Sequence, residues 1–145
     1  MIEYSTGSIF DSHCDALVNP VNCVGVSGAG LALEFKKRFP RAQLKYAEYC
    51  RAGNLDPGEA FTDYDYGHQL IFLATKKHWR DGSKLEWIRD GAVTLRELIS
   101  TFRLQSIAVP ALGCGYGGLD WADVKAVIED ELTGLNARVM VYPPK

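Results

Sequence analysis

The pattern of apolar and polar positions alternates between a strand-like and a helix-like period along the whole chain. Short runs rich in β-branched and aromatic residues predict strands at 2–6, 15–20, 60–66, 69–75, 106–112 and 137–144. Apolar positions three and four residues apart predict helices at 30–40, 40–53, 84–102 and 121–132. Strands and helices in this order are typical of a layered α/β fold.

The apolar runs also indicate which elements lie in the core. The run "SIAVPAL" at 106–112 is apolar enough for a strand buried on both faces in the middle of a sheet. The helix at 84–102 carries a broad apolar stripe that we assign to the core: Leu85, Ile88, Val93, Leu95, Leu98 and Ile99. Gly53 is expected to cap the helix that precedes it.

Length and composition indicate one domain that spans residues 1–145. The chain is 47% hydrophobic, which is enough to bury a core without disulfides or metals. Sixteen basic and 18 acidic residues give a net charge of −2, and they are spread along the chain without a block that could follow many phosphates. Long nucleic acid is therefore not the default partner.

The chain carries no signal for a membrane or for export. Its first residues lack a basic segment followed by an apolar one, and no apolar run approaches 18 residues. We therefore expect a cytoplasmic protein with no membrane partner, and a monomer by default.

The four cysteines predict neither a disulfide framework nor a metal site. Cys14, Cys23, Cys50 and Cys114 lie far apart, with no C-x-x-C pair and no histidine at zinc-ligand spacing. We expect them to be small buried apolar residues, and we expect neither a metal nor a cofactor.

Two segments share the order of apolar strand, glycine-rich loop and helix. Loop 1 runs from Val24 to Leu31, and loop 2 runs from Gly113 to Gly118. Glycine lets the backbone approach a ligand closely, and the N–H groups that open a helix attract anions. Glycines also serve tight turns alone, but two such dense loops favour binding. If both loops follow parallel strands, they open on one edge of the sheet and a diphosphate fits between them.

Two common nucleotide-binding motifs are not satisfied. Gly113, Gly115 and Gly118 match G-x-G-x-x-G, but no βαβ unit with a ribose-binding acid follows. Neither loop contains the G-x-x-x-x-G-K-[ST] pattern. A Rossmann dehydrogenase and a P-loop NTPase are therefore disfavoured.

The stretch "VNPVN" places two amides where an apolar strand ends. Asn19 is expected either to cap the local turn or to contact a ligand. Asn22 comes directly before loop 1 and is better placed to meet ribose hydroxyls. Together with the loops, this indicates a nucleotide that carries an additional sugar.

Three motifs in this order resemble the macrodomain family over nearly the whole chain: "DALVNPVNCVGVSGAGLALEFKKRFP", "IFLATKKHWR" and "PALGCGYGGLDW". Within the family the chain is most similar to the DNA ADP-ribosyl glycohydrolase (DarG) macrodomains and to the terminal ADP-ribose protein glycohydrolases. The resemblance implies a three-layer α/β/α sandwich with a central mixed, mostly parallel six-stranded sheet that binds ADP-ribose.

The resemblance implies a hydrolase that removes single ADP-ribose groups. Its substrate is expected to be thymidine-linked ADP-ribosyl DNA or ADP-ribosylated acidic side chains of a protein. Two alternatives remain open: a module that binds ADP-ribose without cleaving it, and a hydrolase of small ADP-ribose derivatives. A cognate ADP-ribosyltransferase of a bacterial or phage toxin–antitoxin system is a further expected partner.

The resemblance also assigns the site. Lys76, the first lysine of "TKKHWR", is expected to be catalytic, as a nucleophile at the distal ribose or as a base. Asn22 is expected to contact that ribose and is included with the catalytic residues. The expected ligand-binding residues are Ser8, Ile9, Asn19, Val24, Gly25, Ser27, Gly28, Ala29, Gly30, Leu31, Thr75, Pro110, Gly113, Cys114, Gly115, Tyr116, Gly117, Gly118 and Tyr142.

Two aromatic residues of this set have particular roles in the resemblance. Tyr116 is expected to cover the ribose. Tyr142 is expected to stack on adenine, and the alternative is a packing aromatic on an edge strand. His78, Trp79 and Arg80 either contact the group attached to ADP-ribose or form a stacked surface of their own.

The chain departs from the family pattern at two positions. Ser8 stands where macrodomains commonly have an aspartate that accepts the adenine amino group, which leaves this role to Asp11, to a backbone carbonyl or to a looser pocket. Gly117 stands where the protein glycohydrolases have an aspartate that assists the lysine. The second departure agrees with the DNA-acting subclass.

Overall fold

The computed structural model describes residues 1–145 and contains one six-stranded sheet. The strands are β1 (Ile2–Tyr4), β2 (Ala16–Asn22), β3 (Ala60–Asp65), β4 (His68–Lys76), β5 (Ser106–Pro110) and β6 (Arg138–Tyr142). Their order is β1-β6-β5-β2-β4-β3, and the hairpin of β3 and β4 is the one antiparallel pair. The predicted mixed, mostly parallel sheet is confirmed.

Four helices cover the two faces of this sheet: α1 (Gly30–Arg38), α2 (Pro40–Arg51), α3 (Leu85–Thr101) and α4 (Trp121–Leu132). Buried side chains of α3 and α4 pack on one face, where they join Val18, Ile71 and Val109. Buried side chains of α1 and α2 pack on the other face, with Leu17 and Phe72. The expected three-layer α/β/α sandwich is therefore confirmed.

Proline and glycine set the limits of the helices. Pro40 is the first residue of α2, where its missing N–H costs no helical hydrogen bond. Gly53 directly follows the C-cap residue Ala52 and has φ +73°, a left-handed conformation that glycine adopts without strain. The predicted role of Gly53 in ending this helix is confirmed.

Two details differ from the sequence analysis. Within α3, Ile88, Leu95 and Ile99 are buried, but Leu85 and Val93 are 37% and 38% exposed, so their assignment to the core was wrong. The face that meets the sheet follows the narrower spacing 88, 92, 95 and 99, and Leu85 lies in the first turn. A 3₁₀ turn at Ile9–Asp11 was not predicted.

The parallel arrangement places the carboxyl ends of four strands on one edge of the sheet. Because β2, β4, β5 and β6 run in the same direction, their last residues, Asn22, Lys76, Pro110 and Tyr142, lie along the same edge. This is where open α/β sheets bind ligands. None of the four helices is both long enough and apolar enough to span a membrane.

Candidate functional site

A cleft of about 1390 Å³ opens at the carboxyl edge of the sheet, and both glycine-rich loops line it. The expectation that the two loops open on a common edge is confirmed. Residues of the predicted set that line the cleft are Ser8, Ile9, Asn22, Ser27, Gly28, Ala29, Gly30, Leu31, Thr75, Lys76, Pro110, Gly113, Cys114, Gly115, Tyr116, Gly117 and Tyr142. Their contacts with a ligand remain predictions.

The side chain of Asn22 organises the start of loop 1. Its Oδ1 accepts hydrogen bonds from the backbone N–H groups of Val24, Gly25 and Val26 at 3.1, 3.1 and 3.4 Å. Its Nδ2 donates to the carbonyl of Val26 at 2.8 Å. The hydroxyl of Tyr46 donates to the carbonyl of Asn22 at 2.6 Å. Asn22 therefore folds the backbone that leads into the loop, in addition to lining the cleft.

The rest of loop 1 presents N–H groups without a partner inside the protein. No intramolecular hydrogen bond uses the backbone N–H groups of residues 27–32, and Ala29 makes no side-chain cap on α1. The hydroxyl of Ser27 is buried and donates to Gln43 of α2 at 3.0 Å, which ties the loop to the helix layer. The opening turn of α1 is therefore free to bind an anion with its N–H groups and positive dipole end.

Loop 2 offers a second set of unpaired N–H groups. The backbone N–H groups of Gly113, Gly115, Tyr116 and Gly117 donate to no group of the protein. The loop turns through a hydrogen bond from the N–H of Gly118 to the carbonyl of Gly115 at 3.2 Å. The helix that follows, α4, begins at Trp121 outside the cleft lining, whereas these four loop residues line the cleft. The loop itself, and not the N-terminus of α4, therefore provides the unpaired amides on this side of the cleft.

Position 117 has no room for a side chain. A Cβ there would collide with the carbonyl oxygen of Gly113 and would lie 2.5 Å from the hydroxyl of Ser83. Ser83 also lines the cleft, its N–H donates to the carbonyl of Gly117 at 2.9 Å, and its buried hydroxyl has no partner. The glycine at 117 is therefore a packing requirement of this loop, and an aspartate is sterically excluded.

Tyr116 brings the two loops together. Its side chain is 77% exposed, yet a Cβ on Gly30 would lie 3.6 Å from its ring. The ring of Tyr116, a residue of loop 2, therefore lies against the first turn of α1. Its role as a cover over the ribose stays a prediction.

The two predicted catalytic residues are neighbours in the sheet. Asn22 pairs with Lys76 across β2 and β4, where the register shifts by one residue. The Nζ of Lys76 donates to the backbone carbonyl of Trp79 at 3.2 Å. This bond holds the amine beside the segment that follows β4, at the wall of the cleft.

The opposite end of the cleft contains the residues expected around adenine. The Oγ of Ser8 accepts the N–H of Phe10 at 3.2 Å and caps the 3₁₀ turn, whereas Asp11 is exposed and lies outside the lining. Tyr142 is buried to 9% exposure at the end of β6. Because β6 lies between β1 and β5, the alternative reading of Tyr142 as an edge-strand residue is wrong.

Four predicted ligand-binding residues lie outside the cleft lining: Asn19, Val24, Gly25 and Gly118. Val24 points to solvent with 42% exposure, and Gly25 packs on α2, where a Cβ would lie 3.0 Å from the Cα of Ala47. Gly118 turns the chain at φ +76°. Glycine content alone does not distinguish residues that face a ligand from residues that shape the turn.

Asn19 was predicted as a turn cap or a ligand contact, and its position matches neither. It lies within β2 opposite Phe72, is completely buried, and makes no hydrogen bond with either side-chain polar atom. A strand that continues to Asn22 leaves no turn for Asn19 to cap.

The sequence analysis also missed several residues of the lining. These are Glu34 and Arg38 of α1, Ser83 after β4, and Lys145. Trp79 and Arg80 also line the cleft, and the sequence analysis had named both as contacts of the attached group or as part of a stacked surface. The spacing of Leu31, Glu34 and Arg38 places them on one helical face, and this signal could have found the two charged residues. Basic side chains of the lining are Arg38, Lys76, Arg80 and Lys145 against the acid Glu34, which suits an anionic ligand.

The cysteines contribute little reactivity to the site. Cys114 lines the cleft, and burial raises the pKa of its thiol. Burial likewise raises the pKa of Cys23, to about 11, and that of the buried Cys50. All four cysteines are free, and only Cys14 and Cys50 are fully buried, so the expected burial is confirmed for those two.

A comparison with protein-family models completes this description. The model of the Macro domain matches residues 18–128. The chain belongs to the macrodomain family. The matched region contains most of β2, both glycine-rich loops and Lys76.

The macrodomain is also similar to curated and solved proteins. It is 40% identical to the DNA ADP-ribosyl glycohydrolase of Mycobacterium tuberculosis over 99% of the chain and 42% of that protein. The macrodomain of Mycobacterium tuberculosis DarG superposes with a TM-score of 0.96, covering 100% of this chain and 99% of the other. Thermosipho africanus DarTG in complex with ADP-ribose gives a TM-score of 0.89 at 31% identity, over 97% of this chain and 41% of that one. The chain thus spans about two fifths of the curated glycohydrolases that it matches.

Proposed function

We propose that the chain acts as one macrodomain that removes single ADP-ribose groups from thymidine-modified DNA. The observation that carries this proposal is the common cleft, in which two loops with unpaired amides and a half-buried lysine share one edge of the sheet. A relative 40% identical over nearly the whole chain is named a DNA ADP-ribosyl glycohydrolase, which supports DNA as the substrate class. Such a substrate lies in the bacterial cytoplasm.

The diphosphate of ADP-ribose lies between the loops in this proposal. The N–H groups of loop 1 and loop 2 bind its two phosphates, and the basic side chains of the lining add a favourable field. The adenosine extends toward Ile9 and Tyr142, and the distal ribose extends toward Asn22 and Lys76. This orientation brings the linked thymine to the wall formed by Trp79 and Arg80.

Lys76 performs the chemistry by one of two routes. As a nucleophile, the lone pair of Nζ attacks the anomeric carbon, the bond to thymine breaks, and the base leaves with the electron pair and takes up the proton that Nζ releases; water later displaces the lysine. As a base, Nζ takes a proton from a water molecule that attacks the same carbon. The bond to the carbonyl of Trp79 positions the amine in both routes.

A comparison of substrates tests the proposed function. Release of ADP-ribose is measured from a thymidine-linked ADP-ribosyl oligonucleotide, a glutamate-linked ADP-ribosyl peptide and ADP-ribose 1″-phosphate at equal concentrations. We expect kcat/KM for the oligonucleotide to exceed the other two values by at least about tenfold, a difference of about 1.4 kcal/mol in transition-state binding. Fastest turnover of the peptide or of the phosphate ester contradicts the proposed substrate. Binding of ADP-ribose without turnover of any substrate favours a non-catalytic module.

A cognate ADP-ribosyltransferase belongs to the proposal as a functional partner. The relative from Thermosipho africanus is named as a fusion of a DNA ADP-ribosyl transferase and a DNA ADP-ribosyl glycohydrolase. An enzyme that attaches ADP-ribose to DNA supplies the substrate of an enzyme that removes it.

A further inference from the structure

A group of cations and aromatic rings continues outward from the reactive end of the cleft. We call it the basic–aromatic surface, and it consists of Lys77, His78, Trp79, Arg80, Lys84 and Trp87. Lys77, Arg80 and Lys84 are exposed, and none of them takes part in an ion pair. Trp79 exposes 45% of its surface, which is a large area for a tryptophan without a covering element.

The rings of this surface carry cations on their faces. The guanidinium of Arg80 lies 4.6 Å from the centre of the Trp79 ring, and the imidazole of His78 lies 5.1 Å from the same ring. The ammonium groups of Lys84 and Lys77 lie 5.1 and 6.0 Å from the ring of Trp87. Both tryptophan rings therefore lie next to cations that have no acidic partner.

The basic–aromatic surface is continuous with the cleft. Trp79 and Arg80 also line the cleft, and the carbonyl of Trp79 holds the Nζ of Lys76. Lys77 connects this region to Trp87 in the first turn of α3. A polymer joined to the distal ribose at Lys76 would leave the cleft directly over these residues.

We propose that the basic–aromatic surface binds single-stranded DNA on either side of the modified thymidine. The inference rests on the proposed function for the position of the modified base, but its chemistry comes from the surface itself. Exposed bases stack on tryptophan and on guanidinium groups, and lysines neutralise the adjoining phosphates. Bases in a duplex are stacked on one another and do not reach such rings.

The charge distribution favours DNA over an acidic protein. The chain as a whole carries a net charge of −2, whereas residues 76–87 contain four basic residues against two acidic ones, Asp81 and Glu86. This excess is local and modest, so it fits a short strand rather than a long duplex. An acidic peptide would form ion pairs with the cations, but it would offer no flat ring to stack on the two tryptophans.

Charge reversal tests this assignment. The Lys77→Glu/Lys84→Glu variant is compared with Lys36→Glu/Arg51→Glu, which makes the same change in net charge at exposed, unpaired residues of α1 and α2. A neutral variant, Lys77→Gln/Lys84→Gln, accompanies them, and thermal unfolding verifies the fold of all three. The substrates are ADP-ribosyl thymidine as a nucleoside and the same group in the middle of a short single-stranded oligonucleotide. Binding of the unmodified oligonucleotide is measured in parallel.

In the wild-type protein we expect kcat/KM for the modified strand to exceed kcat/KM for the modified nucleoside by at least about tenfold. The ratio falls to about one in the reversed variant, falls partly in the neutral variant, and is retained in the α1/α2 control. The slope of log kcat/KM against the logarithm of the salt concentration is more negative for the strand than for the nucleoside by about 2. Each of the three cations contributes about 0.7 to this slope through the release of counterions.

Three results would overturn the inference. The first is a strand-to-nucleoside ratio of kcat/KM near one in the wild-type protein, and the second is a ratio that survives charge reversal at Lys77 and Lys84. The third is an equal rise in kcat/KM when acidic residues are added on either side of the glutamate in an ADP-ribosylated peptide. Failure of the proposed function is a separate result, since it removes turnover of nucleoside and strand alike. In that case, weaker binding of the unmodified oligonucleotide by the reversed variant alone supports the surface, and unchanged binding refutes it.

Discussion

Replacement of Lys76 by alanine is expected to abolish release of ADP-ribose while ADP-ribose still binds. The Nζ of Lys76 lies at the wall of the cleft, and the other residues of the lining offer no second amine beside the end of β4. Loss of a positioned base or nucleophile lowers the rate by about 10²–10⁴-fold. The phosphate contacts come from backbone N–H groups of the two loops, so we expect the Kd for ADP-ribose to change less than about fivefold. Single-turnover release and calorimetry measure the two quantities.

Two companion variants identify the cause of this loss. Lys76→Arg replaces the amine by a guanidinium, which offers no lone pair to act as a nucleophile or a base, so we expect it to be as inactive as the alanine variant. Lys36→Ala, on an exposed face of α1 outside the cleft, is expected to retain full activity. Release by Lys76→Ala within tenfold of the unmodified rate would show that Lys76 is not the reacting group.

Replacement of Asn22 by alanine is expected to weaken both the fold and ligand binding. The substitution removes the acceptor of three backbone N–H groups in loop 1 and the donor to the carbonyl of Val26. Buried polar groups left without partners cost about 1–3 kcal/mol each, and part of this loop is open to water, so we expect a loss of about 2–4 kcal/mol in the free energy of unfolding. The Kd for ADP-ribose should rise at least about tenfold, because the amides of loop 1 lose their fixed positions. Denaturant unfolding and calorimetry measure the two effects.

Asn22→Asp is the matched control for this prediction. A carboxylate keeps the oxygen that accepts the three N–H groups and makes these hydrogen bonds charge-assisted, although it loses the bond to the Val26 carbonyl and repels that oxygen. We therefore expect its unfolding free energy to lie closer to that of the unmodified protein than to that of Asn22→Ala. Unchanged stability and unchanged affinity in Asn22→Ala would contradict the role of this side chain in organising loop 1.

The fold was predictable because its signals are local and repeated. Alternating strand and helix periods gave all six strands and four helices, and Pro40 and Gly53 marked helix ends through their backbone preferences. The broad stripe of α3 was less informative, since Leu85 and Val93 are apolar but exposed. Hydrophobicity reports that a helix is amphipathic, whereas the width of its buried face depends on what it packs against.

The site was predictable at the level of loops and less so at the level of single residues. Strand direction and glycine content place both loops at one edge, but the direction of each backbone amide depends on hydrogen bonds that sequence does not reveal. Gly25 packs on α2 and Gly113 lines the cleft, although both have positive φ. Asn22 was expected to meet a ribose, and its role in holding loop 1 became visible only from its contacts. Ser83 reaches the cleft from the segment between β4 and α3, through tertiary packing.

The central claim is that the unpaired backbone amides of loop 1 and loop 2 clasp one ADP-ribose molecule between them. Titration of the isotope-labelled protein with ADP-ribose, followed by amide chemical shifts, tests this claim most directly. We predict large, saturable shifts at residues 27–32 and 113–117 with a single Kd on the order of micromolar. Shifts confined to one loop, or the absence of shifts in both loops at millimolar ADP-ribose, would contradict the account.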